Sequence, residues 1–153
     1  MKDIVFRDAK FSDVESVLEL INGYATAGLM LARSRNSLYE NLFDFVLAEK
    51  DGKIIGVGAL HFVWDELGEI RSLAVQEWFK NQGIGRKIVE ILTEKARVVG
   101  VKRLFVLTYE KDFFAKLGFN FVSHESVPQK MWKECINCTK FPNCDEIAME
   151  LYL

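Results

Sequence analysis

The spacing of apolar residues changes along the chain in an order that marks out its elements. Residues 4–7 form a short strand, and Val14, Val17, Leu18 and Ile21 then recur at the interval of one helix face. Ser12 and Glu15 have the form of a capping box at that helix's start, and Ser37 and Glu40 repeat it before a shorter helix carrying Leu38, Leu42, Phe43 and Phe45. Residues 46–49 and 54–62 flank an Asp51-Gly52 pair, which takes the positive φ angles of a tight hairpin. Residues 69–75 form the next strand. A helix over 83–99 turns Ile84, Ile88, Ile91, Leu92 and Ala96 inward and stops at Gly100. A buried strand over 103–108, a short helix over 113–117 closed by Gly118, and strands over 119–122 and 146–151 complete the series. This order predicts an α/β fold around a mixed sheet.

Composition narrows the class. The 153 residues, 50% hydrophobic and 27% charged, suit one domain over 1–153 that buries roughly two thirds of its unfolded surface. There is no linker, repeat or low-complexity tract. A net charge of −2 with scattered basic residues argues against nucleic acid as a partner. The N-terminus lacks the apolar core of a signal peptide, and no apolar run reaches the roughly 20 residues that cross a bilayer. A cytoplasmic protein without membrane attachment is expected.

The chemistry concentrates in residues 69–87, where an apolar strand runs through a short polar turn into a helix start containing Gly83 and Gly85. Unpaired N–H groups and the positive end of the helix dipole make such a start an anion cradle. A dinucleotide fingerprint would need a third glycine at Ile88 and an acidic residue about 20 positions on. A phosphate-binding P-loop would need Lys and then Ser or Thr after its last glycine, but Arg86 and Lys87 follow Gly85. Both are excluded. The plain alternative is a close-packed strand-to-helix turn.

Leu73-Ala74-Val75, the turn 76–80 and Asn81-Gln82-Gly83-Ile84-Gly85 resemble the acetyl-CoA-binding motif of the GNAT N-acetyltransferases. Phe113 to Phe119, with its terminal Gly118-Phe119, is similar to that family's short helix after the neighbouring strand, and the likeness spans roughly residues 3–123. The resemblance implies a GNAT fold of six to seven mostly antiparallel strands flanked by about four helices, with acetyl-CoA as co-substrate. It also implies that β-strand backbone at Leu73, Ala74 and Val75 holds pantetheine and the acetyl carbonyl. The N–H groups of Asn81, Gln82, Gly83, Ile84, Gly85 and Arg86 would bind the pyrophosphate. Lys80 and Arg86 suit a pyrophosphate as cations, and the two glycines remove Cβ atoms from its approach. The family often forms homodimers, so a homodimer is compatible with the resemblance.

A narrower resemblance joins residues 28–35 and 104–108 to the acetyltransferase domain of N-acetylglutamate synthases, which acetylate the glutamate α-amine at the start of arginine biosynthesis. It implies a small-molecule amine substrate, glutamate first. Arg33 and Arg35 suit a dicarboxylate through paired N–H donors; alternatively they are surface arginines at a helix start. The long enzymes carry an amino-acid-kinase-like domain for which this chain has no room. Those enzymes usually place an arginine just after the segment matching 107–108, where Tyr109, Glu110 and Lys111 stand here, leaving Lys111 as the candidate replacement. Another amine or a protein N-terminus, or acyl-CoA sensing without catalysis, remain open alternatives.

Attack on the thioester needs a neutral amine and hence a base. Glu69 matches the general-base glutamate of some relatives and would act through water; the competing reading pairs it with Arg71, two residues on and on the same strand face. Phe114 stands where many members have an acid tyrosine, so Tyr109 is the candidate donor to the leaving thiolate. His61 and His124 read as structural. Within the segment 124–145, Cys135, Cys138 and Cys144 suit either a zinc clip, with His124 or Asp145 as fourth ligand, or free thiols or an opportunistic disulfide.

Overall fold

A computed structural model describes residues 3–30, 32–126 and 146–153. Strand β1 (Ile4–Asp8) leads to helices α1 (Val14–Thr26) and α2 (Arg35–Glu40), then to β2 (Phe45–Lys50), β3 (Lys53–Trp64) and β4 (Leu67–Val75). Helix α3 (Ile84–Val99), β5 (Arg103–Thr108), α4 (Lys111–Lys116), β6 (Asn120–Val122) and β7 (Ile147–Tyr152) follow. The strands form one sheet in the order β1-β2-β3-β4-β5-β7-β6. Every pairing is antiparallel except that of β4 with β5, which matches the mixed α/β sheet expected from the sequence.

The helices divide the apolar residues between the two sheet faces. On one face Ile84, Ile88, Val89, Leu92 and Ala96 of α3 pack with Val46, Ala48, Ile55 and Leu60, joined by Phe114 of α4. On the other, Val14, Val17 and Ile21 of α1 and Leu38 of α2 cover Phe45, Leu47, Val57 and Ala59. Helix α3 lies so close to β3 that a Cβ at Gly58 would stand 2.6 Å from Cγ2 of Ile88, inside any tolerable contact. Asp51 (φ 51°) and Gly52 (φ 77°) make the hairpin turn.

Both expected capping boxes are displaced. Helix α2 starts at Arg35, and the Ser34 hydroxyl accepts from the Ser37 N–H at 3.0 Å. Ser34 is extended (φ −85°, ψ 158°), as a cap requires, so it outcompetes Ser37 three residues later. The helix ends at Glu40; Phe43 projects with 98% exposure, while Phe45 belongs to β2 and is buried. At the first box, Phe11–Asp13 is a 3-10 turn, and the polar contacts go through Asp13 rather than Ser12. The Asp13 carboxylate accepts from the Lys10 N–H at 2.7 Å and from Arg7 at 2.7 and 2.8 Å. Arg7 also donates to Glu49 at 2.8 Å, so one guanidinium ties β1 to β2 and to the entry of α1.

The Arg7 guanidinium, followed by the Lys10 N–H, outweighs burial and holds the Asp13 carboxyl below the usual carboxylate range. A carboxylate depressed on folding stabilises fully above its unfolded pKa of about 3.9 and loses that contribution as pH falls toward the folded value. Asp13→Asn is therefore expected to cost about 2 kcal/mol at pH 7. Urea denaturation should show that gap constant down to about pH 5 and shrinking below about pH 4. A gap that grows on acidification would contradict the assignment.

Candidate active site

Strands β4 and β5 run together for three rungs, Leu67 with Arg103, Gly68 with Leu104 and Glu69 with Phe105, and then part. Beyond that point β5 keeps its pairing with β7 up to Thr108, while β4 stays with β3. Between the parted strands opens a cleft of about 780 Å³, bounded by 70–75 on one side, 106–110 on the other, the start of α3 at one end and Tyr24, Met30 and Arg33 across it.

A bulge in β4 shapes this wall. Val57 faces Ala74 and Ala59 faces Arg71, so Ser72 and Leu73 share the space opposite Gly58, and Ser72 takes φ 54°. The extra residue reverses the alternation of faces. Ile70 packs on the α3 side, as do Leu73 and Val75 beyond the bulge, while Ala74 joins the α1 side. Glu69 and Arg71, before the bulge, share the face opposite Ile70.

At the α3 end the chain forms a cradle. Asn81 (φ 63°) and Gly83 (φ 83°) are left-handed, which turns successive N–H groups toward one side. The first hydrogen bond of α3 runs from Lys87 N–H to the Gly83 carbonyl at 3.0 Å, so the N–H groups of Ile84, Gly85 and Arg86 precede the ladder. Lys80, Asn81, Gly83, Ile84, Gly85 and Arg86 all line the cleft, as do Leu73, Ala74 and Val75; Gln82 is exposed and does not. Arg86 is exposed beside Glu90 at 3.0 Å. The Lys80 ammonium lies 4.9 Å from the Tyr24 ring centroid and 3.1 Å from Glu77. Bonding to Tyr24 first, and then to Glu77, raises the Lys80 pKa above its ordinary value.

Tyr24 also donates its hydroxyl hydrogen to the Val75 carbonyl, joining α1 to the edge of β4. Sequence reasoning missed it. Tyr24 follows Val14, Val17 and Ile21 on the apolar stripe of α1 and reads there as core; its one polar atom on that stripe was the available signal.

The other half of the cleft is polar and buried. Glu69 is 6% exposed, and its Oε1 accepts from Arg71 Nε at 2.6 Å. The pairing that competed with a base role is thus present, and it lies in the cleft wall. Arg33 is 7% exposed and lines the same space. Its backbone is held by Asn22 of α1, which accepts from the Arg33 N–H at 3.1 Å and donates to its carbonyl at 3.3 Å. Tyr109 lines the opposite wall, within a turn in which Thr108 Oγ1 accepts from the Glu110 N–H at 2.7 Å.

Two expected cations stand elsewhere. Arg35 is exposed at the first position of α2, where Glu15 of α1 engages it at 2.5 and 2.9 Å, and it does not line the cleft. Lys111, exposed at the start of α4, does not line it either. The chain instead supplies Arg71, which sequence reasoning weighed only as a partner for Glu69. His61 bonds Asp44 at 2.9 Å, and His124 Nε2 bonds the Glu146 carbonyl. Cys135, Cys138, Cys144 and Asp145, the proposed zinc ligands apart from His124, lie outside the described residues. Among the described residues no helix is long and apolar enough to cross a membrane.

Comparison with known proteins agrees with this geometry. Residues 14–119 match the model of the acetyltransferase (GNAT) family. An uncharacterized N-acetyltransferase of Chlorobaculum tepidum is 42% identical over 96% of this chain and 95% of its own. An amino-acid acetyltransferase of Mycobacterium tuberculosis is 39% identical over 85% of this chain and 76% of its own. The N-acetylglutamate synthase of Neisseria gonorrhoeae, crystallised with coenzyme A and N-acetyl-glutamate, superposes with a TM-score of 0.88 at 28% identity, covering 98% of this chain and 35% of that one.

The Tyr24 bridge is open to direct measurement. Tyr24→Phe keeps the ring beside Lys80 but removes the hydroxyl that bonds both the Val75 carbonyl and Lys80, and is expected to lower stability by about 1 kcal/mol. An unchanged urea midpoint would show that the Tyr24 hydroxyl contributes nothing.

Proposed function

The chain belongs to the GNAT acetyltransferase family and is an N-acetyltransferase; from that premise we propose that it acetylates the α-amine of a free amino acid, glutamate first, using acetyl-CoA. The observation that carries this reading is the division of one cleft into a donor-rich cradle at the α3 start and a buried, charged half containing Glu69, Arg71 and Arg33. The Mycobacterium and Neisseria proteins, named for amino-acid acetylation and N-acetylglutamate synthesis, support it. By the same reasoning the product serves arginine biosynthesis.

The left-handed Asn81 and Gly83 and the N–H groups opening α3 fit a pyrophosphate, with Lys80 and Arg86 adding positive charge. When bound, acetyl-CoA supplies an activated acyl group. The edge of β4 at Leu73, Ala74 and Val75 lies where the parted strands leave room for its arm. Glu69 removes the proton from the acceptor ammonium, through a water molecule, and so makes the amine nucleophilic. Arg33, buried and fixed through Asn22, binds an acceptor carboxylate with paired donors. Tyr109, on the facing wall, returns a proton to the departing thiolate.

A thiol-release assay with acetyl-CoA over a panel of amino acids and simple amines tests the reading. Glutamate should be turned over. Glu69→Gln should lower kcat about 100-fold with little change in the KM for acetyl-CoA. Arg33→Ala should raise the KM for glutamate about 10-fold or more, and Gly83→Ala, strained at φ 83°, should raise that for acetyl-CoA. Acetyl-CoA binding without thiol release across the whole panel would refute the proposal and favour an acyl-CoA sensor.

A further inference from the structure

We propose that Tyr24 positions Lys80 for the pyrophosphate of the donor, through a hydrogen-bonded chain from the Val75 carbonyl by way of the Tyr24 hydroxyl to the Lys80 ammonium; this deepens, and rests on, the reading of the α3 start as the acetyl-CoA cradle. All three residues line the cleft. A phenol hydroxyl has one hydrogen to give, and here it goes to the Val75 carbonyl, which leaves an oxygen lone pair for Lys80. The anchor of the chain is firm. Val75 ends β4, and the next residue ties that end to β3 twice: the Gln76 N–H donates to the Ile55 carbonyl at 2.8 Å, and the Gln76 side-chain amide donates to the Ile54 carbonyl at 2.9 Å. Tyr24 is anchored as well, since it packs on the α1-side core three residues after the buried Ile21.

The neutrality of the hydroxyl is what suits it to this task. A carboxylate in its place would offset the ammonium's charge and compete with a phosphate for it, whereas a neutral oxygen holds Lys80 and leaves the charge available. The carboxylate that does meet Lys80, that of Glu77 at 3.1 Å, belongs to a side chain that is 86% exposed, so the ion pair is weak and yields readily to an incoming anion. Tyr24 is then the stronger hold. A lysine stem is flexible, and ordering it only when the ligand arrives would cost affinity. The chain from Val75 makes that ordering part of the fold. Arg86 differs, being exposed and meeting Glu90 on its own helix, so its position owes nothing to β4 or α1.

The test measures the Kd of CoA by calorimetry for the wild type, Tyr24→Phe, Lys80→Gln and the double variant. Each single variant should weaken CoA about 3- to 10-fold. If Tyr24 acts through Lys80, adding Tyr24→Phe to Lys80→Gln should cost no more than about a further 2-fold. A merely structural role for Tyr24 would not depend on Lys80, and its loss would be the same in both backgrounds. At saturating acetyl-CoA the KM for the amino-acid acceptor should stay within about 2-fold of the wild type in both single variants, which also shows that they fold. A wild-type Kd in either single variant, or a further loss of more than about 2-fold in the double variant, overturns the inference; continued turnover of an amino acid then leaves the acetylation reading standing. The expected pattern of CoA affinities without thiol release from any amine keeps the inference and removes that activity. A wild type that does not bind CoA overturns both.

Discussion

The parting of β4 and β5 after three parallel rungs is the constraint on which the rest of the structure depends. A parallel pair needs a crossover connection, and α3 provides it. The strands are joined at the end where Leu67 meets Arg103 and open toward Val75 and Thr108. The start of α3 therefore lies beside the open end. Backbone groups on β4 that a regular sheet would have paired with β5 are left facing the cleft, a tolerable arrangement only where another partner replaces the missing strand. Tyr24 is one such partner, since its hydroxyl reaches across from α1 to the Val75 carbonyl.

The bulge at Ser72 works with that constraint. Without an extra residue, strict alternation would place Leu73 and Val75 on the same face as Glu69 and Arg71. With it, the apolar pair returns to the α3 side while the charged pair keeps the opposite face. The result is a cleft whose two ends differ chemically. One end has converging N–H groups and two cations, Lys80 being held by Tyr24 and Glu77. The other has the ion pair of Glu69 and Arg71, with both side chains largely buried. Buried ion pairs stabilise folds poorly, because desolvation offsets attraction.

The outline of the fold and the glycine turn at the start of α3 were legible in the chain. The hairpin at Asp51-Gly52, α3 from its glycine start to its Gly100 stop, and β5 over 103–108 follow from local geometry and from the period of apolar residues. So does the cradle, because Gly83 carries its conformational meaning with it. The capping boxes were less legible: the pattern at Ser12 and at Ser37 was right in kind, but the neighbouring Asp13 and Ser34 had better backbone geometry or a better partner. The charged half of the cleft was legible only in part. Arg33, Arg35 and Lys111 are alike as sequence, yet burial keeps Arg33 in the cleft, Glu15 holds Arg35 outside it, and Lys111 stays on the surface.

The sequence by itself thus determined which segments become strands and helices, where the glycine turn opens α3 and that Glu69 and Arg71 share a face. Each of these depends on residues within a few positions of one another. Only the tertiary structure decided where β4 leaves β5, that Tyr24 closes on Val75, and which of several arginines enters the cleft. Those outcomes join residues as far apart as Tyr24 and Val75, or turn on the competition of Glu15 for Arg35. Such contacts depend on how packed elements meet, and no local period or turn signal records that.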